Sequence, residues 1–235
     1  MPDPTARTVL SPAFGAACHV LAVAGHAVVV DPGAGVTEAV VAHAAERGLT
    51  VHAVLATHGH PDHTWDAGRL CAALGVPFVV HEEDAAWAGD PGAVLDALSG
   101  GTPASAGVGA ALRAAIEASG VAPAVVPDDV APFATPDGAA VLEYGRLRIR
   151  ALHAPGHTPG STLYLTDGVV LTGDVLFAGS VGRTDLPGGD AAAMARTLAD
   201  VVGGLDPALA VLPGHGPATT VARELGTNPF LQPRR

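Results

Sequence analysis

Three histidines and an aspartate fall within six positions of the stretch Ala56-Thr57-His58-Gly59-His60-Pro61-Asp62-His63-Thr64. Imidazoles and carboxylates crowded this closely are costly unless they share a positive charge, and they are the donors that hold a metal ion. His58 and His60 are two apart, so an extended backbone sends both side chains the same way. Asp62 and His63 lie beyond Pro61, which bends the loop and aims them at a second ion. Three further stretches add donors: Gly156-His157, Gly173-Asp174 and Gly214-His215. Glycine directly precedes His60, His157, Asp174 and His215, and a residue without Cβ lets the chain turn sharply and approach a neighbouring loop. The seven residues His58, His60, Asp62, His63, His157, Asp174 and His215 supply donors for two borderline-soft ions such as zinc. Two hydrolytic metals about 3.5–4 Å apart need a bridging anion, and Asp174, with two oxygens to share, is the candidate.

The elements that must present these loops alternate between strand and helix. Cys18 to Val23 and Ala27 to Val30 read as strands paired around a glycine-containing turn. Val36 to Arg47 reads as a helix, with Thr37 or Gly35 near its start and Gly48 as its stop. Val51 to Ala56 is a short apolar strand, so the histidine cluster sits in the loop at its C-terminal end. A helix over Trp65 to Leu74, stopped by Gly75, and a strand over Pro77 to Val80 follow. From about Glu82 to Thr135 the chain is rich in Ala, Gly, Pro and Ser. That stretch reads as a long insertion with one helix, Val108 to Ser119, forming either a flap over the site or a surface decoration. Strands resume at Ala140–Tyr144, Leu147–Leu152, Ser161–Leu165 and Val169–Thr172, with tight turns that suggest sheet packed on sheet. A helix over Asp190–Val202, a strand over Ala208–Leu212 and a helix over Thr219–Leu225 close the chain. The expectation is a single domain over residues 1–235, with an insertion at about 82–135.

Composition narrows the function classes. With 49% hydrophobic and 15% charged residues, the 235-residue chain is long enough to bury a substantial core. A net charge of −11 opposes binding to nucleic acid, and all 12 basic residues are arginine. Cys18 and Cys71 lie in apolar stretches and read as small buried hydrophobes, not as a disulfide. The apolar run from Val20 to Val30 is too short to span a bilayer and lacks a signal-cleavage pattern, so the expectation is a cytoplasmic protein with no membrane partner. The remaining histidines, His19, His26, His43, His52, His81 and His153, are read as structural.

Taken in order, Thr57 to His63, Gly156-His157, Gly173-Asp174 and Gly214-His215 resemble the motifs of the metallo-β-lactamase fold superfamily over nearly the whole chain, from about Asp31 to Phe230. The stretches GHTPGS, TGDVLF, GSVGRTDLPGGD and LPGHGP, with the Asn228-Pro229-Phe230 tail, are most similar to glyoxalase II-like (hydroxyacylglutathione hydrolase-like) enzymes. Only 20 residues follow His215, so the likeness is to short forms without a C-terminal helical domain. The resemblance implies an α/β fold, an αββα sandwich of two mixed β-sheets flanked by helices, with two divalent metal ions at one edge. His58, His60 and His157 match the first metal's ligands, Asp62, His63 and His215 the second's, and Asp174 the bridge. Zinc is the preferred ion, and iron and manganese also occupy such sites.

The activity implied is thioester hydrolysis by a metal-bridging hydroxide that attacks the carbonyl of a small acyl-thiol substrate. A metal stabilises the developing oxyanion, thiolate leaves, and Asp62 additionally orients the nucleophile. Arg183, in Gly182-Arg183-Thr184-Asp185, falls where the family places a basic substrate contact. It is a two-pronged donor for a substrate carboxylate or, alternatively, an ion-pair partner for Asp185 or Asp190. Two other chemistries stay open on the same scaffold. One is a persulfide dioxygenase with a single iron on His58, His157 and Asp174; the other is lactone or ester hydrolysis. A non-catalytic metal-binding module is the reading from a different class, and the complete donor set opposes it.

Overall fold

The computed structural model describes residues 5–100 and 103–232. Its first sheet is built from β1 (Thr5–Leu10), β2 (Ala17–Val23), β3 (His26–Val30), β4 (Thr50–Leu55), β5 (Phe78–His81) and β6 (Val130–Phe133), in that spatial order. The first three strands run antiparallel, and β3 through β6 run parallel. Parallel neighbours need crossovers: α1 (Thr37–Glu46) supplies the one from β3 to β4, α2 (Pro61–Thr64) with α3 (Ala67–Leu74) the one from β4 to β5, and residues 82–129 the one from β5 to β6. β2, β3 and β5 are buried along nearly their whole lengths, as predominantly apolar strands covered on both faces should be.

The second sheet contains β7 (Ala139–Tyr144), β8 (Leu147–His153), β9 (Thr162–Thr166), β10 (Val169–Gly173), β13 (Ala210–Pro213) and β14 (Thr219–Thr220), in the order β14-β13-β10-β9-β8-β7. A small hairpin of β11 (Leu176–Phe177) and β12 (Ser180–Val181) lies between β10 and β13 in sequence. Along β8 the burial alternates residue by residue at first, the period-2 signature of a strand with one face on the core. Leu21, Val30, Leu55, Ile149, Tyr164 and Leu171 meet between the two sheets. Outside the first sheet, Val40, Leu70 and Phe78 pack with the helices; outside the second, α7 (Ala191–Arg196) and α8 (Val221–Thr227) contribute Met194 and Val221. Helix layer, sheet, sheet, helix layer is the αββα sandwich expected.

Several boundaries move for physical reasons. The helix expected to start at Trp65 is two pieces. Pro61 takes the first turn of α2, where a missing N–H costs nothing, and α3 follows after Asp66. Asp66 then serves a different helix: α1 has no cap of its own, and Asp66 Oδ2 accepts from the backbone N–H of Gly35, Val36 and Thr37 at 3.0–3.1 Å. The helix expected over Asp190–Val202 is α-helical only to Arg196 and continues as a wider π turn over Thr197–Val201 and a 3₁₀ turn. Asp190 caps its start, accepting from Ala192 and Ala193.

The region at 82–135 holds more structure than one helix. Besides α6 (Pro103–Ser119) it contains α4 (Ala85–Ala88), α5 (Pro91–Gly100) and the sheet strand β6; residues 101–102, inside it, lie outside the described residues, as do the ends of the 1–235 span. Asp90 starts α5 by accepting from Ala93 N–H at 2.9 Å, ahead of Pro91. α5 and α6 lie close together because Gly109 has no Cβ to strike the backbone nitrogen of Ser99, 2.7 Å from where that atom would sit. Both cysteines are buried free thiols, as read. Among the described residues, no helix is long and apolar enough to cross a membrane.

Candidate metal centre

Four loops bring the seven predicted donors together, each leaving the C-terminal end of a strand: β4, β8, β10 and β13. Within this group, one ring nitrogen or carboxylate oxygen from each of His58, His60 and His157 lies within 4.8 Å of the others. The same holds for Asp62, His63 and His215, and for His58, His63 and Asp174. Asp174 lies between the two outer triads: Oδ1 is 3.3 Å from His63 Nε2, and Oδ2 is 3.6 Å from His157 Nε2 and 3.7 Å from His215 Nε2. His60 Nδ1 is 2.8 Å from His157 Nε2, and His215 Nε2 is 3.1 Å from Asp62 Oδ2.

Hydrogen bonds on the far side of the rings decide which nitrogens face inward. His157 Nδ1 donates to the Arg183 carbonyl at 2.7 Å, which leaves the lone pair of a neutral ring on Nε2. Asp31 does the same for two more rings. Its Oδ2 is 3.1 Å from His63 Nδ1 and accepts from the Thr57 hydroxyl at 2.7 Å. The Thr57 oxygen, its proton committed to Asp31, accepts in turn from His58 Nδ1 at 3.1 Å. So one buried carboxylate orients both His58 and His63.

The chemistry of this donor set fits divalent cations. Among the described residues, three buried side-chain polar atoms have no hydrogen-bond partner: His58 Nε2, His60 Nε2 and Asp174 Oδ1. Three such atoms from one cluster are expensive to bury unless a further ligand satisfies them. Burial, with help from the neighbouring His63 and His157, holds His58 well below the usual histidine range. Burial and His157 lower His60 to about 3. Both rings are therefore neutral at physiological pH, as metal ligands must be. Burial alone would raise the Asp62 and Asp174 carboxyls, but His63 beside them outweighs it and holds both below the usual range. His63 shifts the opposite way: burial opposes its charge, and Asp174 and Asp62 overcome that and raise it. The two carboxylates thus draw positive charge to this point, either a proton on His63 or a cation.

Two residues that organise the centre were not singled out in the sequence. Asp31 ends the apolar run Val28-Val29-Val30, and a carboxylate closing a fully buried strand needs partners; that signal was legible. Asp84, in Glu82-Glu83-Asp84, gave none, because acidic runs are usually solvated. It is 1% exposed and ties the two halves of the first triad together. Its Oδ2 accepts from Gly59 N–H at 2.8 Å and the Thr158 hydroxyl at 2.6 Å, and its Oδ1 accepts from Gly160 N–H at 2.7 Å. The start of the 82–135 region is therefore part of the site's frame. Replacing Asp84 with asparagine puts an amide donor where donors already point, and about 2–4 kcal/mol of stability is expected to be lost. Chemical denaturation of the metal-loaded protein checks this; a midpoint unchanged from wild type contradicts it.

Five of the six histidines read as structural have partners for their side chains. His19 lies 3.3 Å from the Pro213 carbonyl and 3.0 Å from the Thr8 hydroxyl, bracing the loop that carries His215. His26 and His52 bond to each other at 2.8 Å. His81, Glu83 and His153 also lie close enough to suggest a further ion. There, however, the His81 and His153 rings stack at 4.4 Å with planes only 8° apart, so their in-plane lone pairs do not converge. His81 bonds to Thr135 at 2.9 Å and His153 to the Pro159 carbonyl at 2.8 Å. Arg183 grips Asp185 with two hydrogen bonds, 2.6 and 2.7 Å, at the border of the cavity over the metal centre.

Fold, ordered loops and donor set define a metallo-enzyme superfamily, and the sequence comparison agrees: residues 12–215 match the metallo-beta-lactamase superfamily, to which this chain belongs. The hydroxyacylglutathione hydrolase GloC of Haemophilus influenzae is 29% identical over 220 residues, covering 88% of this chain and 87% of its own. Among solved structures, the BLEG-1 B3 metallo-beta-lactamase is 29% identical with a TM-score of 0.76, covering 97% of this chain and all of its own. TTHA1623, solved in a di-iron-bound form, is 32% identical with a TM-score of 0.72 and covers 96% of this chain and all of its own.

Proposed function

We propose that this chain is a metal-dependent thioester hydrolase acting on a small acyl-thiol, glyoxalase II-like in chemistry. The observation that carries the reading is the convergence of seven donors around three partnerless buried atoms, on a scaffold that one hydroxyacylglutathione hydrolase shares over most of its length. We assign His58, His60 and His157 to one ion, Asp62, His63 and His215 to the other, and Asp174 to both. Zinc suits the nitrogen-rich donors, and the di-iron relative makes iron the second choice. Bound there, a cation pair supplies hydroxide near neutral pH and polarises a carbonyl oxygen.

The protein's own groups do the rest. Asp62, more exposed than His58, His60, His63 and His157 and facing the cavity, orients the nucleophile. The His157 and His63 rings are locked by Arg183 and Asp31, so the donors are preorganised before substrate arrives. The enzyme is read as a single cytoplasmic domain serving a small molecule, with the net charge of −11 set against nucleic acid. The test is hydrolysis of acyl thioesters by the zinc- or iron-loaded protein, followed beside oxygen uptake on a thiol persulfide. Thioester turnover without oxygen uptake supports the reading, and the reverse pattern assigns the chain to the dioxygenases.

Arg183 is assigned to the carrier side of the substrate. Arg183→Ala is expected to raise KM about tenfold for a thiol carrier bearing a carboxylate, with kcat and metal content little changed. Equal effects on charged and uncharged carriers would reduce Arg183 to a partner of Asp185.

A further inference from the structure

The cavity over the metal centre, about 340 Å³, has two unlike sides. Its floor is the donor cluster. Its roof and flank are aliphatic and aromatic: Leu98 from α5, Val108 and Leu112 from α6, then Leu186 and Phe177. Arg183, the one arginine among its lining residues, stands at the border of the cavity, where it pairs with Asp185. No lining residue on the roof offers a hydrogen-bonding side chain.

This roof is built into the fold. Val94, Leu98 and Leu186 form a buried cluster against which Trp87, Val108 and Leu112 pack. Leu112 also belongs to a second cluster with Trp65 and Leu95. The close approach at Gly109 and the Arg113–Asp96 ion pair fasten α5 to α6. A fold that holds five apolar side chains over a polar metal site offers burial to an apolar group reaching up from that site.

We infer that the roof is an acyl pocket, and that the substrate's acyl group is a straight, unsubstituted apolar chain with Val108 and Leu112 setting its preferred length. The inference rests on the thioester hydrolase reading above and names the substrate class within it. At roughly 30 Å³ per water-sized group the cavity takes about a dozen non-hydrogen atoms. Allowing for the reacting centre, that is an acyl chain of roughly four to eight carbons. Each methylene entering the pocket is expected to strengthen binding about fourfold. A hydroxyl on the chain would be buried without a partner and lose roughly ten- to a hundredfold.

The test uses two readouts on the zinc-loaded protein. One is kcat/KM for thioesters of a single uncharged thiol, N-acetylcysteamine, carrying straight acyl chains of two to ten carbons and, from four carbons up, their counterparts hydroxylated at the chain end. The other is calorimetric affinity for straight-chain alkanoates, which carry the product carboxylate and require no turnover. Both are expected to climb about fourfold per methylene to six or eight carbons and then level off, with the hydroxylated chains behind. Leu112→Gln, and the near-isosteric Val108→Thr should the first unfold, are expected to lower the octanoyl-to-acetyl ratio at least tenfold in both readouts. A flat chain-length profile in both overturns the acyl pocket while thioester turnover still stands. Alkanoate affinity that climbs with length in a protein that cleaves no thioester supports the apolar pocket and overturns the hydrolase reading beneath it.

Discussion

Asp174→Ala is expected to lower bound metal from two ions per chain toward none and kcat/KM by about 10³-fold or more. The reason lies in its position. One oxygen faces His63 and the other faces His157 and His215, so the side chain serves both triads. Removing it leaves the two triads facing one another with less negative charge to hold cations between them. His215→Ala is a different experiment. It takes one donor from the Asp62–His63 side and leaves His58, His60 and His157 intact, so about one ion per chain should remain while activity still collapses. Metal analysis of both variants beside wild type checks this; equal losses in the two would mean that Asp174 belongs to one side only.

Gly214→Ala should be nearly as damaging, although it removes no donor. A Cβ there would stand 2.6 Å from His63 Cε1 and press on Asp174 Oδ1, with the Gly173 carbonyl carbon at 3.1 Å. The loop that holds these groups is also pinned, since Gly214 N–H donates to the Gly173 carbonyl at 2.8 Å and the Gly214 carbonyl accepts from Ala17 N–H at 2.8 Å. The added methyl must therefore displace a donor, and a displacement approaching 1 Å is worth about 10²-fold in rate. Activity per bound metal is the readout. Gly168→Ala is the control: at φ +77° in the β9–β10 turn it meets nothing within 4 Å. It is expected to cost only about 1 kcal/mol of stability, with metal and rate unchanged.

How much of this was legible in the sequence depends on the kind of signal each residue carries. The donors announced themselves, because five histidines and two aspartates at glycine-marked strand ends have few uses other than metal binding. β2, β3, β4 and β8 were legible as apolar or alternating runs, and Gly75 stops α3 as read, in the left-handed conformation at φ 68°. What escaped is the support. Asp84 acts through residues 25 and more than 70 positions away, and nothing local distinguishes it from the solvated Glu82 and Glu83. Asp66 caps a helix some thirty residues earlier, so α1 shows no cap at its own start. α5 was hidden by its composition: Pro91, Gly92 and Gly100 are poor helix residues, and its stability comes from packing Val94, Leu95 and Leu98. Exposed β1 has no apolar pattern and exists because β2 offers it an edge.

The central claim is that two ions share this cluster and serve hydrolysis. Its most direct test is the number of metal ions held per chain by protein purified without chelator and refilled with zinc or iron, measured together with thioester hydrolysis and oxygen uptake. The account predicts two ions per chain, and thioester hydrolysis that tracks the second ion and consumes no oxygen. A protein that never holds more than one ion, and that takes up oxygen on a thiol persulfide when that ion is iron, would contradict it.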